Sequence, residues 1–225
     1  MTIYGDFHTH TVFSHGKGTM EENVEAAIDR GLSAVAITDH GLSHFAYGIS
    51  KRELQAYLSE VDRLRDCYAD RIRVLSGVEA NIIGPDGEID VPDWLDKRLD
   101  VVLMGFHRAA RNANWAKWFQ FIIANGKAMT ESGKRRQQDR NTRAFVRAIE
   151  NHRVDAITHP QYIARLHMEE VARACVKTGT LVEINNKHGD IASEELQCAL
   201  SAGADFLISS DAHHPSAVGV VDRAL

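Results

Sequence analysis

The amino-acid sequence predicts a single-domain α/β barrel built on parallel strands, and three observations carry that prediction. Short β-rich runs alternate with longer helical patterns from one end of the chain to the other. The runs are mostly apolar without alternation, as expected of strands covered on both faces. They number seven, and seven βα units favour a barrel over a doubly wound sheet.

The first strand is expected near 2–7 and the second near 33–38, Ser33-Ala34-Val35-Ala36-Ile37-Thr38. Between them Thr19 caps a helix that runs through Ile28. Glu22, three residues on, completes a capping box, and Gly31 ends the helix as a C′ glycine. A helix over 51–69 leads to a third strand at 72–78, and a fourth follows at 100–105. There the rhythm breaks. About 48 residues separate the fourth strand from the fifth at 154–158, with helical patterns at 115–125 and 132–151. This insertion, about 108–152, holds Lys134-Arg135-Arg136, either a solvated helix face or a lid or phosphate-attracting rim. Trp115, Trp118, Phe119 and Ile122 recur at helical spacing and read as a packing stripe. Helices at 167–178 and 193–202 alternate with the last strands, at 180–185 and 205–209. Ala217 begins what reads as the final barrel helix, and the chain stops at Leu225, within three turns of that start. So short a helix is expected to be truncated, to expose apolar surface and to favour a homo-oligomer.

At 225 residues and 44% hydrophobic composition the chain closes one sizeable core, and no Pro/Gly/Ser-rich linker divides it, so residues 1–225 read as one domain. Lys and Arg total 26 against 31 Asp and Glu, a net −5 too mild to argue for nucleic acid or a membrane surface as an obligatory partner. A small soluble substrate is the default. Cys67, Cys175 and Cys198 are odd in number and far apart, which argues against a disulfide framework and a Cys-rich zinc site. Met1 runs almost directly into the first strand without a leader pattern, and no apolar run reaches the length of a membrane span. The cytoplasm is the expected compartment.

The chain holds 12 histidines, more than an average composition supplies, and they fall systematically. His8 and His10 close the first strand, His40 the second, Glu79 the third, His107 the fourth, His159 the fifth, and Asp211 and His213 the seventh. The C-terminal ends of parallel barrel strands converge on one face, so residues scattered along the chain become neighbours there. Imidazole nitrogens and carboxylate oxygens suit zinc, manganese or iron, and such a cluster is hard to bury without cations. On a strand, the period of two points His8 and His10 to the same side. His15 follows in a loop beside the same rim, and Glu79 has two oxygens with which to bridge ions. Asp211 and His213 share one side of the last strand's extension, while His214, on the other side, is left open. Asp6 and Asp39 stand next to ligands and are expected to orient imidazoles rather than bind metal. Arg108 and Lys187 are candidates for substrate contact from the rim, with solvated rim charges the alternative. Asn186 and His188 share the loop of Lys187, whereas His44, His152 and His167 lie off the strand ends and read as ordinary helix or loop residues.

Together His8-Thr9-His10, Ser14-His15-Gly16, Thr38-Asp39-His40, Gly77-Val78-Glu79, Gly105-Phe106-His107, Thr158-His159-Pro160 and Ser210-Asp211-Ala212-His213 resemble the PHP (polymerase and histidinol phosphatase) superfamily, from the first strand to the last. The resemblance implies a distorted (β/α)7 barrel and a trinuclear metal centre. It implies that one ion takes His8, His10, Glu79 and Asp211, and that a second, bridged by Glu79, takes His107 and His159. The third would take His15, His40 and His213. Many members carry Asp where His15 stands; both types ligate, and the imidazole biases the site toward zinc. No ligand position is degraded, which argues against a domain kept only as structure.

The implied chemistry is phosphoester hydrolysis. Ions close together lower the pKa of a shared water to about 7, so the expected nucleophile is a metal-bridging hydroxide rather than a side chain. Three divalent ions, zinc ahead of manganese or iron, are the cofactors implied for this ligand set. No basic groove is evident, so small phosphomonoesters are favoured as substrates, with nucleic acid and a phosphodiesterase or exonuclease activity as the alternative. Amidohydrolases also begin from a strand HxH, but they are expected to bridge metals with a carboxylated lysine where this chain has Glu79, and the His15, His40 and His213 group has no counterpart there. A metal-binding module without turnover is the remaining class, and the complete ligand set speaks against it.

Overall fold

The computed structural model describes residues 3–125, 130–189 and 191–224. Thr2 of the expected first strand, residues 126–129 of the insertion and Leu225 lie outside the described residues. Seven strands form one parallel sheet in chain order: β1 (Gly5–Asp6), β2 (Ala34–Ile37), β3 (Arg73–Asn81), β4 (Val101–Gly105), β5 (Ala156–Ile157), β6 (Leu181–Asn185) and β7 (Phe206–Ser209). The ring closes just past the strand ends, where Thr9 bridges Ala212 in parallel. The His10 N–H donates to the Ala212 carbonyl at 2.8 Å, and the Ala212 N–H to the His8 carbonyl at 3.3 Å. The expected (β/α)7 barrel is therefore present, and its seam lies among the histidines.

Seven α-helices accompany the strands among the described residues: α1 (Met20–Asp29), α2 (Leu54–Cys67), α3 (Asp93–Asp96), α4 (Trp115–Trp118), α5 (Glu131–Asn151), α6 (Met168–Thr178) and α7 (Ser193–Ser201). α1 starts as its sequence dictates. The Thr19 hydroxyl accepts from the Glu22 N–H at 3.2 Å, and the Glu22 carboxylate accepts from the Thr19 N–H at 2.7 Å. Apolar faces of α1 and α2 pack with β2 and β3 into one cluster that includes Val24, Val61, Val35 and Val78. Those of α5 and α6 pack with β4 to β6 into a second that includes Phe145, Val171, Met104 and Val182. Each such side chain, once buried, contributes roughly 1.5–3 kcal/mol. Tyr57 of α2 is fully buried, and its hydroxyl lies 2.8 Å from the carbonyls of both Ile37 and Gly77, tying β2 to β3. Because the apolar contacts lie between sheet and helices, the barrel's mouth is left to polar residues.

Several expectations need correction. β3 runs to Asn81, past the expected end at 78, so Glu79 lies within the ladder opposite Leu103 rather than beyond it. β5 keeps only two residues, because the backbone turns into the left-handed region at His159, φ 28°. The packing stripe of the insertion is displaced: Trp115 is 77% exposed and Phe119 53%, while Phe121 and Ile122 are buried. The helix widens into a π-helical turn at Phe119–Ile123, which rotates the buried face. Among the described residues no final helix starts at Ala217. A 3₁₀ turn, Pro215–Ala217, gives way to Gly219 at φ 72°, whose N–H donates to Asp6 Oδ2 at 2.8 Å. Lys134, Arg135 and Arg136 are exposed on α5, where Lys134 pairs with Glu131 at 2.7 Å: a solvated helix face. Among the described residues no helix is long and apolar enough to cross a membrane.

Candidate metal centre

Glu79 is the hub of the mouth. It is fully buried, and its Oε1 lies 2.8 Å from His159 Nε2, 3.4 Å from His107 Nε2 and 3.5 Å from His8 Nε2. Its Oε2 lies 2.8 Å from His40 Nδ1 and 3.7 Å from His10 Nε2. Asp211 forms a second centre: Oδ1 stands 3.2 Å from His213 Nδ1, 3.3 Å from His10 Nε2 and 3.8 Å from His8 Nε2. His15 enters from the loop after β1, its ring stacked on His40 with centroids 4.8 Å apart and edge-on to His213 at 4.1 Å. The residues singled out from the strand ends, drawn from positions 8 to 213, thus meet in one cluster.

Whether this set fits metal is decided by its unpaired atoms. Nδ1 of His10, His15 and His40, Oε2 of Glu79 and Oδ1 of Asp211 are buried without a hydrogen-bond partner among the described residues. His40 Nδ1 and Glu79 Oε2 are 2.8 Å apart yet misaligned for a hydrogen bond, as suits two donors sharing an ion. Leaving a buried carboxylate uncompensated costs several kcal/mol, so the set fits cations. Donor atoms lie within 4.8 Å of one another in three groups: His8, His10 and Asp211; His40, Glu79 and His107; His10, His40 and His213.

The protonation states agree. Burial, with the neighbouring His213 and Lys187, lowers the His15 pKa to about 4, and burial lowers that of His40 to about 3. Burial also holds His10 well below an ordinary imidazole. Against burial, the imidazoles of His107, His8 and His40 hold Glu79 well below the carboxylate range, and His8 does the same for Asp211. Neutral imidazoles around ionised carboxylates are the form that binds a cation. His8 and His159 are exceptions: burial disfavours their charge, but Glu183, Glu79 and Asp211 outweigh burial, raising His159 and lifting His8 well above a free imidazole.

The groups that orient the imidazoles are not the ones expected. Asp6 accepts from the backbone of Gly219 and Ser210 and from the Ser210 hydroxyl, and so ties β1 to the segment after β7. Asp39 accepts from the Thr11 N–H at 2.7 Å, from the Thr11 hydroxyl at 2.6 Å and from Ser14, and so fixes the loop that carries His15. Neither hydrogen-bonds an imidazole among the described residues. That work falls to Glu183 and Asn81, which sequence reasoning missed. His8 Nδ1 donates to Glu183 Oε1 at 2.6 Å, turning Nε2 toward Glu79 and Asp211. Asn81 Oδ1 lies 2.8 Å from His107 Nδ1, and its own amide is held by buried Asp90 at 2.6 Å. One signal was available: a carboxylate at the centre of an apolar strand, Leu181-Val182-Glu183-Ile184-Asn185, has to be paired. His159 at φ 28° and Asp211 at φ 53° carry backbone strain of about 1–3 kcal/mol each, concentrated where donors are aimed.

The cluster floors a cavity of about 310 Å³, walled by Tyr47, Tyr162, Lys187, His188 and His44. Lys187 Nζ stands 3.5 Å from Asp211 Oδ1 and 3.0 Å from His213 Nδ1. His188 Nε2 lies 3.2 Å from Asp211 Oδ2, with its ring against Tyr162 at 3.9 Å. His44, read as an ordinary residue, is buried and stacks on His40 at 5.0 Å; burial lowers its pKa to about 4. Arg108 is exposed and does not line this cavity. His152 and His167 are exposed and stand apart from it.

Fold and donor set together define a parallel barrel whose strand ends gather buried His, Glu and Asp groups that fit metal. A sequence model of the PHP domain matches residues 6–210, and the chain belongs to that family. It is 32% identical over 236 residues to a probable phosphatase of Shewanella sp. (strain MR-4), spanning 98% of this chain and 80% of that protein. It is 29% identical over 240 residues to one of Thermoanaerobacter sp. (strain X514), spanning 100% of this chain and 85% of that protein. Its fold is shared by a putative histidinol phosphatase of Listeria monocytogenes, TM-score 0.69 at 17% identity, covering 94% of this chain and 96% of that one. It is shared too by the histidinol phosphate phosphatase of Lactococcus lactis, complexed with zinc, L-histidinol and phosphate, TM-score 0.66 at 17% identity, covering 93% and 86%.

Proposed function

We propose that this chain is a metal-dependent phosphatase, a hydrolase of small phosphate monoesters, with its ions in the cluster around Glu79 and Asp211. The carrying observation is that set of buried donor atoms without hydrogen-bond partners. Relatives named as probable phosphatases support a phosphate ester as substrate, and the zinc, L-histidinol and phosphate held by the Lactococcus lactis enzyme support zinc and a small molecule. One ion would be held by His8, His10, Glu79 and Asp211, a second by Glu79, His107 and His159, and a third by His15, His40 and His213. When bound, the ions would supply a hydroxide nucleophile near neutral pH and offset the charge developing on the phosphoryl oxygens.

The chain's own groups do the rest. Glu183 and Asn81 hold His8 and His107 in their tautomers and ring orientations. Lys187 places an ammonium at the cavity wall, within reach of a phosphoryl oxygen. Tyr47 with His44 on one side and Tyr162 with His188 on the other narrow the entrance and limit water. A cavity of about 310 Å³ accommodates a phosphate with a small organic group.

The test is hydrolysis of p-nitrophenyl phosphate by the wild type and by His10→Ala and Glu79→Ala. Both variants are expected to lose activity and bound metal together while circular dichroism shows the fold intact. Wild-type turnover in either would overturn the proposal.

A further inference from the structure

A second cavity, about 390 Å³, adjoins the first and shares Lys187, Asp211 and His213 with it. Its far wall is basic, formed by Lys17, Arg223 and His214. Lys17 and Arg223 are exposed, make no ion pair among the described residues and line the same hollow. In a chain of net charge −5, unpaired cations facing one hollow are a local reversal of sign. The one carboxylate lining it among the described residues is Asp211, already committed to the metal cluster. The arrangement is anchored to the site: the Lys17 N–H donates to the His213 carbonyl at 2.8 Å, and the Arg223 N–H to Asn186 Oδ1 at 2.8 Å, next to Lys187. A convergent basic wall in a hollow raises the local concentration of anions, and a guanidinium grips a phosphate-type group in two-point fashion.

We infer that this second cavity binds a second phosphate group of the same substrate, so that the preferred substrates are small bisphosphorylated molecules. The inference rests on the phosphatase reading: one phosphate lies over the metal cluster and is cleaved, and the other reaches past Lys187 to Lys17 and Arg223 and is only held. Asn186, which also lines the hollow and takes the Arg223 N–H on its Oδ1, keeps its amide NH2 as a donor for the held phosphate. This makes the 390 Å³ cavity a specificity subsite rather than a second centre of reaction.

The experiment uses the metal-loaded full chain and linear diols from ethane- to hexanediol, each as its monophosphate and its bisphosphate, so that no particular scaffold is presumed. At the best-fitting length the bisphosphate is expected to have a KM about tenfold or more below that of its monophosphate. Lys17→Gln with Arg223→Gln is expected to bring that ratio close to unity, and Arg223→Glu to invert it. Reading the ratio removes any general change in activity, and both side chains are exposed, so the variants keep the fold. Equal KM values at every length, or a preference that survives both variants, would overturn the inference and leave the phosphatase reading intact. Failure to hydrolyse p-nitrophenyl phosphate and every diol ester would bring down both.

Discussion

Glu79 touches imidazoles delivered by β1, β2, β4 and β5, and so concentrates into one side chain what the sequence spreads from His8 to His159. Its geometry depends on Glu183, whose carboxylate fixes His8 and also accepts the His159 N–H at 2.5 Å. Glu183→Gln keeps the volume but removes the charge, and is expected to weaken zinc affinity about 10- to 100-fold. Competition against a chromophoric chelator reads this directly, and an unchanged affinity would remove Glu183 from the site. The candidate donors at the strand ends were legible because each stands where an apolar run stops, whereas His15 was read from its loop beside the same rim. Glu183, Asn81 and Asp90 were not, because their roles are set by partners brought close only in the folded barrel. Glu183 and His8 are separated by 175 positions.

At the scale of elements, strand ends decide what reaches the mouth. β4 terminates in Gly105, where an added Cβ would stand 2.4 Å from Thr158 Oγ1 and 3.0 Å from His159 Cε1. Thr158 in turn donates to Glu79 Oε1 at 2.8 Å. Gly105→Ala is therefore expected to destabilise the protein by about 1–3 kcal/mol through overpacking and to lower kcat, measured by chemical denaturation and p-nitrophenyl phosphate turnover. Wild-type values for both would show that β4 and β5 have slack here. Strand number followed from the alternation of short apolar runs with helical patterns along the chain. The boundaries did not: β3 outruns its apolar stretch because Glu79 and Asn81 find partners inside the barrel, and β5 is cut short by the turn at His159. His44 was missed because it arrives on a loop that pairs with Ala110 rather than on a strand.

For the molecule as a whole, the cluster couples acidity to stability. An unfolded imidazole titrates near 6.5, whereas folded His15 and His40 titrate at about 4 and about 3. Below about pH 6.5 the unfolded chain takes up protons that the folded chain refuses, so the metal-free protein is expected to lose stability as pH falls from about 6.5 toward 4. His8 and His159, raised by their carboxylate neighbours, act in the opposite sense only above that window. Glu79 and Asp211, held low, add a further loss below about pH 4. Thermal melts in chelator between pH 7 and 4.5 check the sign, and a Tm that rises on acidification would contradict it.

In the proposed function, metal links the buried donor atoms to the hydrolytic activity, so metal removal and return is the decisive measurement. Protein stripped by chelator, verified by elemental analysis and titrated with zinc is expected to be inactive toward p-nitrophenyl phosphate and to regain turnover as occupancy approaches about three ions per chain. Full activity in the metal-free protein would contradict the proposed function, and recovery complete at two ions would leave His15, His40 and His213 without their proposed ion.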